Sequence, residues 1–454
     1  MKMQSINPAT NDVLKEFEII SLEDAIKIGE EVREAQKKWR KKSVIDRSGY
    51  IKKLGEVLRE HTKEYARLIS LEMGKPITQA IAEVEKCAVL CDFYAQQSEG
   101  FLAPIVVRTE AKKSYLRFDP LGVVLAIMPW NYPFWQVIRC AVPALAAGNT
   151  MLLKHASNVP QCSLAIEEAF TLAGFPENTF RSLLIPGKEA DKLIETHVVD
   201  AVSLTGSTQA GAKVAETAGR HIKKCVLELG GSDPYILFED ANVELATSQA
   251  LTARMQNCGQ SCIAAKRFIV HSSLVEKFEK RMKELFATLV VGDPIDEKTT
   301  VGPLAKKEFA DGIEKQVEGS IAMGAEVLFG GHRFAGKDAY FEPTLLRNIT
   351  PEMPVWKEEV FGPVMAYMSF ETPDEAVEIA NTQLYGLGAS LWTEDRAFAE
   401  ELASQIESGF VSINAMVKSD PRLPFGGVKQ SGFGREMGEA GIKEFTNMKT
   451  IVVQ

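Results

Sequence analysis

Apolar positions along this chain change their period near residue 121. Over roughly the first 100 residues they recur at helical spacing with charges between them, most plainly in 46–70 and 78–100. Ser21-Leu-Glu-Asp24 has the form of a capping box, and Gly74-Lys-Pro76 interrupts the pattern. From Leu121 onward, short continuous apolar runs alternate with helical stretches. Residues 121–128, 150–154, 181–185, 201–205 and 224–229 read as strands, with helices over 137–147, 160–173, 191–196 and 209–218. A second alternating region starts near Asp233, with strands at 235–238, 267–270, 326–329, 364–369 and 409–414 and helices over 243–257 and 273–289. Residues 450–453 read as a terminal strand. Apolar strands that alternate with helices imply parallel sheets covered on both faces. The pattern therefore predicts an α/β protein of two open α/β units in series, with a cleft between them as the place for chemistry.

Composition narrows the function classes. A chain of 454 residues, 45% hydrophobic and 25% charged, is long enough for two or three folding units with a large core. Its net charge of -9 argues against a general nucleic-acid binder. No apolar stretch has the length of a membrane span, and the first 18 residues lack the apolar core of a secretory signal, so a cytoplasmic protein without membrane contact is expected. The seven cysteines are scattered, which argues against a disulfide framework. Neither Cys87 with Cys91 nor Cys258 with Cys262 comes with the further ligands of a zinc site, so no metal is expected.

Four segments carry candidate chemistry. Asn257-Cys-Gly-Gln-Ser-Cys262 offers a nucleophilic thiol presented by a turn, with Cys258 and Cys262 competing for the part. Glu228-Leu-Gly-Gly-Ser-Asp-Pro234 sets a carboxylate at a strand end before paired glycines, as a general base or as a surface charge. In Pro129-Trp-Asn-Tyr-Pro133, the Asn131 amide either donates to an oxyanion or bonds its own turn. Leu204-Thr-Gly-Ser-Thr-Gln-Ala-Gly211 opens a helix after a strand, which suits a phosphate or a plain tight turn. It lacks the G-x-G-x-x-G fingerprint.

In this order these segments resemble the motif set of the aldehyde dehydrogenase superfamily, across nearly the whole chain. The resemblance rests on Pro129-Trp-Asn131, Lys154, Gly206-Ser-Thr-x-x-Gly211, Glu228-Leu-Gly-Gly231, Gly259-Gln-x-Cys262, Glu359-Val-Phe-Gly-Pro363 and Pro424-Phe-Gly-Gly-Val-Lys-Gln-Ser-Gly-Phe-Gly-Arg435. It implies a five-stranded Rossmann-like cofactor-binding domain over 1–101 and 121–228 and a catalytic domain over 229–430. A small β oligomerisation element over 102–120 and 431–454 would build a homodimer or homotetramer. It implies NAD(P)-dependent oxidation of an aldehyde through a thioester on Cys262, with Asn131 and the Cys262 N–H as oxyanion donors and Glu228 as base. For NAD or NADP it implies Trp130 and Lys154 at the adenosine ribose and phosphate, Gly206 and Ser207 near the pyrophosphate, Glu359 at the nicotinamide ribose and Phe361 near its ring. Many NAD-preferring relatives carry an acid three positions after the lysine. Here Ser157 stands there, and it would not repel the 2′-phosphate of NADP.

The chain looks most like the compact bacterial succinate-semialdehyde dehydrogenases. That likeness implies that Arg139, eight residues after Asn131, grips the substrate's far carboxylate with help from Ser419, while Trp135 and Ser261 shape the pocket. A second arginine common in that group falls at Gln256. Two other readings stand beside it: an aldehyde dehydrogenase for an uncharged or other small aldehyde, which Arg139 disfavours only for cationic substrates, and a non-catalytic dinucleotide-binding or structural protein.

Overall fold

Val123–Met128 is buried along nearly its whole length, as a strand covered by helices on both faces must be. In the computed structural model, which describes residues 2–454, it is the middle of a six-stranded sheet. Five parallel strands run in the order Phe180–Ser182, Thr150–His155, Val123–Met128, Ala201–Thr205 and Lys224–Glu228. A short antiparallel strand, Gly432–Phe433, closes the Lys224–Glu228 edge. The second sheet has seven strands, with Ala265–His271 flanked by Asp233–Leu237 and Val364–Phe370. All its pairings are parallel except that of Glu326–Phe329. A third sheet pairs Thr446–Val453, Lys113–Pro120 and Ile105–Val106 antiparallel.

The two large sheets answer the two α/β units read from the sequence. Three local differences follow from interactions too short or too distant to read there. Lys2–Ile6 and Val13–Glu18 form an antiparallel hairpin where a helical start was expected. Its inward side is only Met3 and Ser5, and Ser5 Oγ accepts from Gln161 Nε2 at 2.9 Å. The stretch 46–70 is two helices, Val44–Glu60 and Thr62–Met73, that break at His61. The complete capping box belongs to Ser43 and Asp46, whereas Ser21 is capped on one side only. Finally, only Thr446–Val453 of the region 431–454 enters the third sheet. Gly432–Phe433 and the helix Gly438–Glu444 pack back on the first unit. No helix among the described residues is long and apolar enough to cross a membrane.

Candidate active site

The turn that carries Cys262 is built from backbone shapes few residues accept. After helix Val243–Met255, Asn257 and Cys258 both adopt the left-handed region (φ 55° and 56°), and Gly259 follows at φ 72°. A Cβ on Gly259 would stand 2.2 Å from the Gly362 carbonyl oxygen, so glycine is obligatory there. Buried Arg254 holds the turn from behind. It donates to the carbonyls of Gly259 at 3.1 Å and Val360 at 3.0 Å, and also to Gly362. It thereby ties the cysteine turn to the Glu359-Val-Phe-Gly-Pro363 segment. Lys266 Nζ, fully buried, donates to the Ser261 and Cys262 carbonyls at 2.9 and 2.7 Å.

This turn separates the two cysteines. Cys262 lines a large cleft, while Cys258 is buried, donates to Gly302 O at 3.2 Å and is pushed up to about 12 by burial. Cys262 Sγ donates to Glu228 Oε2 at 3.8 Å. Burial and the Glu228 charge hold this thiol well above the ordinary range, opposed by Arg139 and Lys266. Asn131 comes in from the other wall. Its Nδ2 donates to Gln260 O at 3.0 Å, and Asn257 Nδ2 donates to the same carbonyl and to Asn131 O at 2.8 Å. One amide hydrogen of Asn131 is thus fixed by the turn, which orients the other.

Glu228 ends the strand Lys224–Glu228, and glycines follow because Glu359 needs the space. A Cβ on Gly230 would lie 2.6 Å from Glu359 Oε2. Burial raises the Glu228 carboxyl, and Arg139 opposes it. Its Oε2 meets both Cys262 and Arg139, while Oε1 has no partner among the described residues.

Arg139, which the resemblance sets at the substrate's far carboxylate, meets carboxylates of the protein itself. Its guanidinium is buried and already bridges two carboxylates, Glu228 at 3.1 Å and Glu436 at 2.5 Å. It does not line the cleft. Its Nη2 meets both carboxylates while its Nε has no partner among the described residues, so in this arrangement it holds the candidate base. Glu436, pushed up to about 7 mainly by burial, was not legible from its motif position.

The cleft has a volume of about 650 Å3 and lies between the two large units. Trp130, Asn131, Gly206, Ser207, Glu359 and Phe361 line it together with Cys262. Trp130 stacks on Phe309 with ring centroids 4.8 Å apart and meets Phe361 edge-on at 5.8 Å. Ser207 caps helix Thr208–Arg220 and so turns the first free N–H groups of that helix to the cleft. Glu359 Oε1 accepts from Gly231 N at 3.1 Å and pairs with Lys266 at 3.3 Å. Half-buried Lys154, which feels the charge of Lys306, and exposed Ser157 lie outside this lining. Burial and the Lys306 charge push the Lys154 ammonium down. His155, buried and lowered to about 4, braces the Pro129–Pro133 loop through the carbonyls of Met128 and Pro133.

Trp135, Ser261 and Ser419 are all nearly fully buried and lie apart from that cleft. Ser419 and Trp135 share one neighbour the sequence did not flag, Lys86. Gln256 is exposed. Lys266 and Arg254 also went unflagged. A signal for Lys266 existed, because Lys266 and Arg267 stand side by side within an otherwise apolar buried strand.

Residues 1–451 match the family model described as "Aldehyde dehydrogenase family". A probable succinate-semialdehyde dehydrogenase [NADP(+)] of Synechocystis is 49% identical over 99% of both chains. A succinate semialdehyde dehydrogenase [NAD(P)+] of Escherichia coli is 42% identical over 98% of this chain and 97% of its own. Among solved structures, a succinic semialdehyde dehydrogenase from Streptococcus pyogenes with NADP+ as the cofactor superposes with a TM-score of 0.97 at 34% identity, covering 99% of each chain. A thiol and an amide lining one cleft, with the Glu228 carboxylate against the thiol, together with these full-length similarities, establish that the chain belongs to the aldehyde dehydrogenase family.

Proposed function

We propose that the protein oxidises succinate semialdehyde, or a closely similar carboxylated aldehyde, to the carboxylate, with NADP or NAD as hydride acceptor. The contact that carries the chemistry is Cys262 Sγ to Glu228 Oε2 at 3.8 Å, beside Asn131. The substrate class rests on relatives of that name at 42–49% identity over their whole length.

The cleft fits a dinucleotide. Its volume, the helix N-terminus at Ser207 and the Glu359 carboxylate at the far end match a long ligand with a central diphosphate. Gly206 and Ser207 would take the diphosphate, Glu359 a ribose, and Trp130 and Phe361 the flat surfaces. Lys154, with Lys306 nearby, stands three residues before the uncharged Ser157, which favours acceptance of a 2′-phosphate. The bound nicotinamide supplies the hydride acceptor.

Glu228 takes the Cys262 proton, and the thiolate attacks the aldehyde carbon to form the C–S bond. The carbonyl oxygen becomes an oxyanion, held by the second Asn131 amide hydrogen and the Cys262 N–H. Donors fixed in a dry site are worth ~3–4 kcal/mol at such a barrier. Loss of hydride leaves a thioester on Cys262. Glu228 releases the first proton to solvent, and its Oε1 then receives a proton from water as the hydroxyl adds to the thioester carbon. The C–S bond breaks and the thiolate returns.

The reading extends to a homodimer or homotetramer through the sheet of Ile105–Val106, Lys113–Pro120 and Thr446–Val453, supported by exposed Ile105, Val106, Met448 and Val452 on it. Elution as a monomer in size exclusion contradicts it. A cytoplasmic location goes with chemistry that needs a reduced thiol. The central test is a panel of aldehydes against both cofactors, followed by reduced-nicotinamide absorbance. Succinate semialdehyde is expected to give the highest kcat/KM, and Cys262→Ala no turnover. A preference for an uncharged or amino aldehyde overturns the substrate reading.

A further inference from the structure

Lys266 is a fully buried lysine near the start of the strand Ala265–His271. Its ammonium has three acceptors: Ser261 O at 2.9 Å, Cys262 O at 2.7 Å and Glu359 Oε1 at 3.3 Å. Its three N–H groups are matched by these three, so no donor is left for a ligand. Asp233 also faces it from the strand Asp233–Leu237, and burial, opposed chiefly by Lys266, pushes that carboxyl up to about 7. Stability does not account for a cation in this place. Buried ion pairs are often replaced by apolar side chains without loss, and methionine has a similar length.

The two carbonyls that Lys266 holds both flank Cys262. The Ser261 carbonyl belongs to the peptide unit that ends in the Cys262 N–H. That unit is planar and trans, so its C=O and its N–H point in opposite directions. An ammonium fixed on the oxygen therefore sets where the N–H points. It also draws electron density toward the oxygen, which leaves the hydrogen at the other end a stronger donor. The Cys262 carbonyl belongs to the next peptide unit. With both units held, the Cα between them is fixed, and with it the direction of Sγ. Gly231 closes the far side: a Cβ there would stand 2.6 Å from Cys262 O. Its N–H donates at 3.1 Å to the same Glu359 oxygen that Lys266 meets.

We propose that Lys266 is a positioning residue of the oxyanion hole. It aims the Cys262 N–H at the substrate's carbonyl oxygen and strengthens it as a donor, with Glu359 as counter-ion. This rests on the reading of Cys262 as nucleophile, and the test separates the two.

Two reactions of Cys262 are compared in the protein without cofactor, each followed at that residue by peptide mass. Iodoacetamide alkylates the thiolate: a C–S bond forms, iodide leaves, and no oxyanion arises. p-Nitrophenyl acetate acylates it: the C–S bond forms, the carbonyl oxygen becomes an oxyanion, and p-nitrophenolate leaves. Burial, Glu228 and Glu359 hold this thiol up against Arg139 and Lys266, so loss of the Lys266 charge raises it further. Both reactions need the same thiolate, and that change cancels in the ratio of acylation to alkylation rate constants.

In Lys266→Met the ratio is expected to fall about tenfold, a part of the ~100–1,000-fold that outright loss of an oxyanion donor costs. Lys266→Arg keeps a charged donor and is expected within about threefold of wild type. Lys266→Gln, with a neutral donor, is expected to fall about fivefold, and it serves if Lys266→Met does not fold. A role confined to the fold or to the thiol slows both reactions together and leaves the ratio in place. A ratio within about twofold of wild type in the neutral variants overturns the proposal. So does a fall in Lys266→Arg as deep as in those variants. Asn131→Ala is the reference, and it lowers the ratio whether or not Lys266 acts. A wild type that the ester does not acylate at Cys262, or an Asn131→Ala ratio equal to that of wild type, overturns the underlying reading instead.

Discussion

Arg139→Met separates two tasks for this arginine: holding the base, as its contacts indicate, or gripping the substrate. In the wild type one guanidinium faces Glu228 at 3.1 Å and Glu436 at 2.5 Å. With charge centres ~4 Å apart and an effective dielectric constant of ~20, each attraction is about 4 kcal/mol. The two carboxylates share that cation in a buried site. Its removal leaves like charges facing each other, and one of them must take up a proton. Glu436 already stands at about 7, and Glu228 is already raised by burial, so both move further up. A carboxylate serves as a base only above its own pKa. The acid limb of the kcat profile therefore moves to higher pH, and at neutral pH kcat falls by ~100–10,000-fold, as for loss of a positioned base. The loss is the same for butanal and for succinate semialdehyde, because thioester hydrolysis does not depend on the far end of the substrate. Adding Glu436→Gln removes one of the repelling charges and returns the limb part of the way. Steady-state pH profiles of the single and double variants with both aldehydes decide the matter. An unmoved acid limb refutes the reasoning. So does a loss confined to the carboxylated aldehyde, which would give Arg139 back to the substrate.

Three further outcomes are expected. Asn131→Ala lowers kcat about 100–1,000-fold by removing a fixed oxyanion donor, and a loss under about tenfold in steady-state assays contradicts that role. Ser157→Glu lowers kcat/KM for NADP relative to NAD by roughly 10–100-fold through repulsion of the 2′-phosphate. An equal loss for both cofactors would mean that residue 157 does not meet the ribose. His155 is held neutral at about 4 against its ordinary 6.5, so the unfolded chain binds the proton first as pH falls. Stability is fully present above 6.5 and up to about 3 kcal/mol of it is lost on the way down to 4. The Tm advantage of wild type over His155→Gln should thus shrink across that window, and a constant gap speaks against it.

Much of this was readable from the chain because it is local. The strand Val123–Met128 announces itself as an unbroken apolar run, and Asn131, Glu228 and Cys262 each sit in a short segment whose neighbours are dictated by backbone geometry. The rest depends on residues that meet only after folding. Glu436 is 297 residues from Arg139 in the numbering, and nothing near either one signals the pairing. Arg139 was expected at the substrate because succinate-semialdehyde dehydrogenases, which the chain resembles, use an arginine there; by itself it reads as a helix-surface charge. The structure supplies carboxylates from the protein itself. Lys86 lay in a regular amphipathic helix where a lysine reads as a solvated charge, and only the return of Ser419 over it reveals otherwise. Arg254 passed unnoticed for the same reason: its acceptors are backbone carbonyls of a distant segment, and carbonyls leave no mark in a sequence.

Glu83 has a consequence for the loop that carries Asn131. Its carboxylate accepts from the backbone N–H groups of Phe134 and Trp135 at 2.9 and 3.0 Å and pairs with Lys75. It reaches across from the helix Ile77–Phe101, while Phe134 follows Asn131 by three residues. The start of the helix behind the oxyanion donor is therefore moored to its neighbour by one buried carboxylate. Loosening that mooring should slow turnover of every aldehyde alike and leave their order unchanged.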